Sequence, residues 1–171
     1  MEIRKTITGA EPVLIADFKT FANTDYTDDD LILIPICITG AREIAEKLTG
    51  LGLIAQTVEI SEVFTSDEID PINRIRLPLP IHGTIDSVTV NGTAFTAFTT
   101  TGLNQKTVYL TGLTANSNGV CEVVIQFKCT GVCTSGIKAA ILNIALDMYT
   151  NRSTADLNLN GIKLLSPYKI Y

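Results

Sequence analysis

The sequence has few charged residues, and its basic residues are not clustered. Asp, Glu, Lys and Arg make up 18% of the 171 residues, and the formal net charge is −5. Proteins that bind nucleic acid neutralise its phosphates with clustered lysines and arginines, and the sequence contains no such cluster. We therefore expect DNA to pass this protein without being specifically bound.

Long apolar runs are also missing. The longest run, residues 31–38, is interrupted by Pro35 and is too short to span a bilayer. The N-terminal stretch MEIRKTITGAEP lacks the apolar core of a signal peptide. These absences predict that the protein contacts no membrane and that it is made in the cytoplasm.

The sequence contains none of the short motifs that mark common catalytic or cofactor sites. It has no glycine-rich phosphate loop, no GxSxG and no HExxH, and its one histidine, His82, lies in a predicted loop. We therefore expect no enzyme and no cofactor. The catalytic alternative uses Asp17 and Asp147, and it requires a pocket that holds both carboxylates close together.

The spacing of potential metal ligands predicts no metal site. Asp67, Glu68 and Asp70 lack the glycine and the spacing of a calcium loop, which favours a solvated loop. Cys121 and Cys129 lie on one predicted strand, more than about 20 Å apart, too far to share a zinc ion. The cysteines form no CxxC pair, and we expect them to be reduced and mostly buried.

Apolar residues, in contrast, are abundant. They make up 46% of the chain, and the mean hydropathy is +0.28. Both values are high for a soluble monomer, which favours an oligomer whose contacts cover apolar surface.

The clearest local pattern is a long amphipathic helix at residues 27–50. Thr27 followed by three aspartates suits its start, and Gly50 suits its end. Pro35 lies inside, and we expect a kink near Ile34. The pattern fits an ordinary core helix or a wall helix of a ring. Its apolar stripe, from which Arg42 and Glu46 fall largely away, consists of Leu31, Ile34, Ile38, Ala41, Ala45 and Leu48.

A shorter helix is predicted before the long one and an apolar helix near the C-terminus. Glu11-Pro12 opens the first helix, and residues 137–152 form the last. The pattern between the long and last helices is that of β structure. Asn91-Gly92 gives the strongest hairpin signal, and residues 120–129 alternate as a half-buried strand does. The other predicted strands are residues 53–64, 74–77, 85–90, 94–99 and 107–111.

These patterns predict an α+β fold in a single domain, residues 1–171. A helical core of the short, long and C-terminal helices occupies about residues 11–52 and 136–152. An antiparallel β insertion, about residues 53–130, separates the long helix from the last helix. A tail of about residues 153–171 ends in LLSPYKIY, which we expect to dock on another surface.

The order of these segments resembles the head-tail connector (head-completion adaptor) family of tailed bacteriophages. The resemblance rests on the order and spacing of five segments, the last of which carries an LLSPY motif. Lys169 departs from the family, which usually continues that motif with arginine. Pro35 and Gly40 in the long helix are not typical of that family. The segments are EPVLIADFKTFANTDYTDDDLI, AREIAEKLTG, IRLPLPIHGTIDSVTV, IKAAILNIALDMYTNR and LLSPYKIY.

The resemblance implies a structural virion protein made in the cytoplasm of a bacterial host. Roughly twelve copies would form a ring at the head-tail junction, beneath the portal protein. The ring would join the portal to a downstream neck or tail-completion protein and form part of the DNA conduit. The portal-binding segment would be Leu164, Leu165, Ser166, Pro167, Tyr168 and Lys169.

A second hypothesis comes from a different class of protein. The Asn91-Gly92 hairpin and the LPLP loop, residues 77–80, would form the recognition surface of a small β-rich ligand- or peptide-binding module with helical support. Such a module would be a monomer or dimer with a concave pocket, whereas the connector would form a ring, at least with the portal present.

Overall fold

The computed structural model of the chain describes residues 1–25, 27–78, 85–102, 106–151 and 159–169. It contains helices and antiparallel sheets, which confirms the predicted α+β class. The chain divides into two compact units. Residues 1–9 with 55–131 form the β unit, and residues 10–54 with 132–171 form the helical unit. Each unit has its own apolar core.

The β unit consists of two antiparallel sheets whose buried faces share one apolar core. One sheet has the strand order β1-β2-β8-β4-β5, and the other has the order β3-β7-β6. An N-terminal strand therefore joins the β structure predicted between the helices. The strands are β1 (Glu2–Ile7), β2 (Gln56–Thr65), β3 (Ile72–Arg76), β4 (Ile85–Val90), β5 (Thr93–Ala94), β6 (Phe98–Thr101), β7 (Thr107–Thr111) and β8 (Val120–Cys129).

Strand β8 shows the alternation that its sequence predicts. It pairs with β2 on one side and β4 on the other, so its inward side chains have neighbours on both flanks. Every second residue is at most 2% exposed, which confirms that set as the core-facing one. The buried set is Cys121, Val123, Ile125, Phe127 and Cys129.

The Asn91-Gly92 hairpin is confirmed, but its second strand is shorter than predicted. Both turn residues have positive φ, 49° and 76°, as a type I′ turn requires. Strand β5 ends at Ala94, and the chain then crosses to the other sheet, where β6 begins at Phe98. The crossing lets Phe95 and Phe98 both pack against the shared core, which a single strand over residues 94–99 would not allow.

The helical unit is built around one cluster of apolar side chains from several helices. Its helices are α1 (Ile15–Ala22), α2 (Leu33–Thr49), α3 (Ser135–Asn151) and α4 (Leu159–Leu164). Two 3-10 turns, Asp28–Asp30 and Ser166–Tyr168, flank α2 and α4. Helix α1 begins later than predicted, and Arg152, the predicted end of the last helix, lies outside the described residues.

The start of the long helix corrects the sequence prediction. Helix α2 begins at Leu33, because Asp28–Asp30 form a separate 3-10 turn in which Thr27 makes no side-chain cap. Pro35 is then the third residue of the helix. The first-turn N–H groups have no intrahelical acceptor, so a proline there removes no hydrogen bond and the expected kink near Ile34 has no cause.

The apolar stripe of α2 is confirmed except at its first member. Ile34, Ile38, Ala41 and Ala45 are at most 2% exposed. Leu31, in contrast, is 86% exposed because it precedes the helix rather than belonging to it. The helix ends as predicted, with its C-cap Gly50 at a φ of 73°.

Candidate interaction surface and C-terminal segment

The C-terminal segment consists of α4 followed directly by the 3-10 turn Ser166–Tyr168. Backbone hydrogen bonds continue across the junction, from Leu165 N–H to Ile162 O (3.1 Å) and from Tyr168 N–H to Leu165 O (3.0 Å). Pro167 lies at the start of the turn, where its missing N–H costs no hydrogen bond. The segment is therefore locally ordered rather than an extended tail.

Close packing holds α4 against α3. A Cβ atom added to Gly161 would lie 2.7 Å from Ile144 Cγ1 and 3.4 Å from Ala140 O, so only glycine fits at this contact. At the other end of the segment, a Cβ atom on Gly136 would overlap Tyr168 Oη. Two glycines thus allow the C-terminal segment to lie directly on α3.

The six predicted portal-binding residues divide into two sets. Leu165 is fully buried in the helical core, and the Tyr168 ring packs against the same core. Leu164 is 44% exposed, Ser166 and Pro167 are exposed, and Lys169 is half-buried. The first pair anchors the segment on its own chain, and the other four are exposed or partly exposed.

An exposed apolar surface lies at the start of α2. Leu31, Ile32 and Ile36 are 86%, 68% and 58% exposed, and we call these three residues the α2 apolar surface. Ile32 and Ile36 are four residues apart, which places them on the same side of the helix start. Contiguous exposed apolar side chains are typical of protein-binding surfaces, so these residues are a candidate for one.

Two polar contacts hold the turn that leads into the α2 apolar surface. Lys19 Nζ lies 3.0 Å from Asp30 Oδ2, which links α1 to the turn. Tyr149 Oη donates a 2.6 Å hydrogen bond to Asp29 Oδ2, which links α3 to the turn. The Tyr149 ring also meets Phe18 edge-on at 5.5 Å. These contacts fix the exposed residues on an ordered support.

A buried arginine organises the inner side of the helical unit. Arg42 is 2% exposed and directs Nε to Glu11 (3.0 Å) and Nη1 to Glu46 (3.0 Å). Glu46 Oε1 accepts the Leu53 N–H at 2.9 Å, and Thr39 Oγ1 donates to Glu11. Arg42 and Glu46 are buried although they lie largely off the predicted apolar stripe. Their i and i+4 spacing signals the pair, but Glu11 is distant in sequence and no local pattern indicates it.

Asp17 and Asp147, the two carboxylates of the catalytic alternative, have different structural environments. Asp17 accepts a hydrogen bond from the Leu14 N–H (3.3 Å) at the start of α1, which is a capping role. Asp147 lies half-buried on α3.

Among the described residues, no group of three or more His, Cys, Asp or Glu side chains is placed to hold a metal ion. His82 and the end of the LPLP loop lie outside the described residues.

The cysteines are free thiols, and three of the four are buried. Burial raises the pKa of Cys121 and Cys133 above the ordinary value, so both are protonated at neutral pH. The protonated thiol is a weak nucleophile and metal ligand, which agrees with the prediction of reduced, packed cysteines.

No helix in the described part of the chain has the length and apolarity to cross a membrane.

Comparison with known proteins gives matches at the level of structure. The chain matches no protein-family model and no curated protein. One match is a chain in the structure "Neck of empty GTA particle computed with C6 symmetry", with a TM-score of 0.74 and 13% identity. The match covers 100% of this chain and 96% of the other chain.

The fold is one found in gene transfer agent particles. A chain in "Neck of native GTA particle computed with C12 symmetry" has a TM-score of 0.71 and 13% identity, and one in "Virion of native gene transfer agent (GTA) particle" has 0.69 and 14%. Both matches cover 100% of this chain and 96% of the other. At this identity the likeness concerns the fold, and it extends through both the β unit and the helical unit.

Proposed function

We propose that the protein is a structural subunit of a ring adaptor in the neck of a phage-like particle, and not an enzyme. The ring joins the portal to a downstream neck or tail-completion protein and forms part of the DNA conduit. The observation that carries this proposal is the full-length likeness to chains in neck structures. On this proposal both units together act as one connector domain.

The exposed apolar residues support the ring. A closed ring needs two different surfaces on each subunit, one for each neighbour. The α2 apolar surface supplies one such surface, on an ordered support, and its burial would reduce the apolar excess seen in the composition. The neck structures with matching chains were computed with C6 and C12 symmetry, in accord with a ring of roughly twelve copies.

The net charge supports passage of DNA without binding. At −5, with 13 basic and 18 acidic residues, the chain repels phosphates on average. Without clustered cations there is no counterion release to drive binding. DNA therefore slides through the ring.

The C-terminal segment supplies the portal contact. Because Leu165 and Tyr168 are anchored in the helical unit, they position the segment rather than touch the portal. Leu164, Pro167 and Lys169, with Ser166, form the outward face that does. The apolar and basic character of this face suits an apolar, acidic groove on the portal.

Native mass spectrometry of the protein, alone and mixed with the portal protein of the same particle, tests the proposal. We expect a ring, or a portal-bound stoichiometry near one copy per portal chain. A monomer in both samples overturns it and favours the ligand- or peptide-binding module.

One observation argues against that module. The side chain of Asn91, at its proposed recognition hairpin, already forms hydrogen bonds within the chain: its oxygen accepts the Glu122 N–H (2.9 Å), and Nδ2 donates to Thr114 O (3.2 Å).

A matched pair of substitutions tests the portal contact separately. Leu164→Ser changes an exposed apolar residue in the C-terminal segment, and Val132→Ser makes an equivalent change elsewhere in the helical unit, where Val132 is 36% exposed. We expect the first to weaken portal binding about tenfold or more and the second to leave it unchanged. Equal binding by the two variants contradicts the site while leaving the ring proposal intact.

A further inference from the structure

Strand β1 is an edge strand whose side chains are all exposed. It pairs only with β2 in the five-stranded sheet, so its other edge carries no strand in the described structure. Ile3 and Ile7 are 40% and 51% exposed. An uncovered edge with apolar side chains is a template for another strand.

The register shows which residues of β1 face that open edge. Thr8 N–H donates to Ala55 O at 2.9 Å, and these two residues are directly opposite each other in the continued β1–β2 register. Hydrogen-bonded and non-bonded pairs alternate in an antiparallel ladder, so Thr6 and Arg4 also bond to β2. The N–H and C=O groups of the residues between them point outward. These residues are Ile3, Lys5 and Ile7.

The side chains of the same residues extend the core face of the sheet. Ile3 lies opposite Ile60 and Lys5 opposite Val58, and both β2 residues are fully buried. Opposite residues share a face, so β1 carries the pattern apolar, basic, apolar along the continuation of the buried face. Within the described residues, no carboxylate lies within ion-pair distance of Lys5.

Charge argues against a second copy of β1 as the occupant. If two copies of β1 paired, the outward-facing N–H and C=O groups of one copy would bond to those of the other. Only two antiparallel registers of this kind use most of the strand. One places Lys5 opposite Lys5, and the other places Arg4 opposite Arg4. Like charges directly opposite are destabilising. A lysine on the core side of an edge strand, as Lys5 is, disfavours pairing of the strand with a second copy of itself.

We propose that β1 accepts an extended segment of a different polypeptide as a sixth strand of this sheet. The segment carries apolar residues opposite Ile3 and Ile7 and a carboxylate opposite Lys5. Backbone hydrogen bonds to the outward groups provide affinity, and the Lys5 ion pair selects the partner.

Amide hydrogen exchange of the full chain with a synthetic peptide, TVTETVT, tests the proposal. The peptide presents valine, glutamate and valine on one face. We expect exchange at Ile3, Lys5 and Ile7 to slow by about tenfold or more, because these amides gain hydrogen bonds. Arg4 and Thr6 are protected by β2 with or without the peptide. The matched peptide TVTKTVT should give no protection.

Two variants make the test specific. Lys5→Glu should reverse the preference to the lysine peptide, and Lys47→Glu, the same charge change on exposed α2 surface, should leave it unchanged. Protection by neither peptide, or an unchanged preference in Lys5→Glu, overturns the proposal. Protection that rises with protein concentration and without peptide identifies a second copy as the occupant and also overturns it. None of these outcomes depends on whether the chain forms a ring.

Discussion

Arg42 and Glu46 form an ion pair one helical turn apart on α2, with 3.0 Å between Nη1 and Oε2, although their side chains are only 2% and 6% exposed. The same guanidinium bonds to Glu11 through Nε. The segment before α1 and the turn after α2, through Leu53, are thereby both tied to the long helix. The pair therefore connects parts of the helical unit that are distant along the chain.

Removal of the arginine should strongly destabilise the helical unit. Arg42→Met leaves Glu46 buried without its cation, and we expect a loss of about 3–5 kcal/mol in the free energy of unfolding. Urea unfolding followed by circular dichroism measures it. Lys47→Met, at an exposed position of the same helix, should change stability by no more than about 0.5 kcal/mol. Equal unfolding midpoints for the two variants contradict this role of Arg42.

The two leucines of the C-terminal segment should differ in their effect on stability. Leu165→Ala opens a cavity in the helical core, and we expect a loss of about 2–5 kcal/mol. Leu164→Ala removes a side chain that is 44% exposed and should cost less than about 1 kcal/mol. Thermal unfolding of both variants measures the difference. A larger loss in Leu164→Ala would show that the segment docks in another orientation.

The hydroxyl of Tyr149 should stabilise the support of the α2 apolar surface. Tyr149→Phe keeps the ring contact with Phe18 and removes the hydrogen bond to the Asp29 carboxylate. Since the acceptor is charged, we expect a loss of about 1.5–3 kcal/mol. Asp29→Asn should cost less, because a neutral acceptor remains. Unfolding in guanidinium chloride measures both, and an unchanged midpoint in Tyr149→Phe would contradict the assignment.

Glu68 should make stability depend on pH in the acid range. The Thr65 N–H and, secondarily, the Thr65 hydroxyl lower the pKa of Glu68 below its ordinary value of 4.5. A lowered folded-state pKa contributes stability that is complete above 4.5 and is lost as the pH falls through the folded value. The advantage of wild type over Glu68→Gln should therefore shrink below pH 4.5. Melting temperatures at several pH values measure it, and a constant difference would refute it.

Local patterns in the sequence predicted several elements because their causes are local. The alternation along β8 and the positive-φ pair Asn91-Gly92 depend on residues next to one another. The portal-binding assignment, in contrast, depends on a terminal motif and stays a prediction. The structure adds that Leu165 and Tyr168 are occupied within the helical unit, which the motif alone does not indicate.

The sequence by itself determined the α+β class and the apolar faces of α2 and β8, because composition and periodicity decide these properties. Tertiary structure decided the rest. It placed Glu11 beside Arg42, brought β1 to the edge of a sheet and made Leu31 a surface residue. The first two outcomes depend on partners far apart in sequence, and a local pattern carries no information about such a partner.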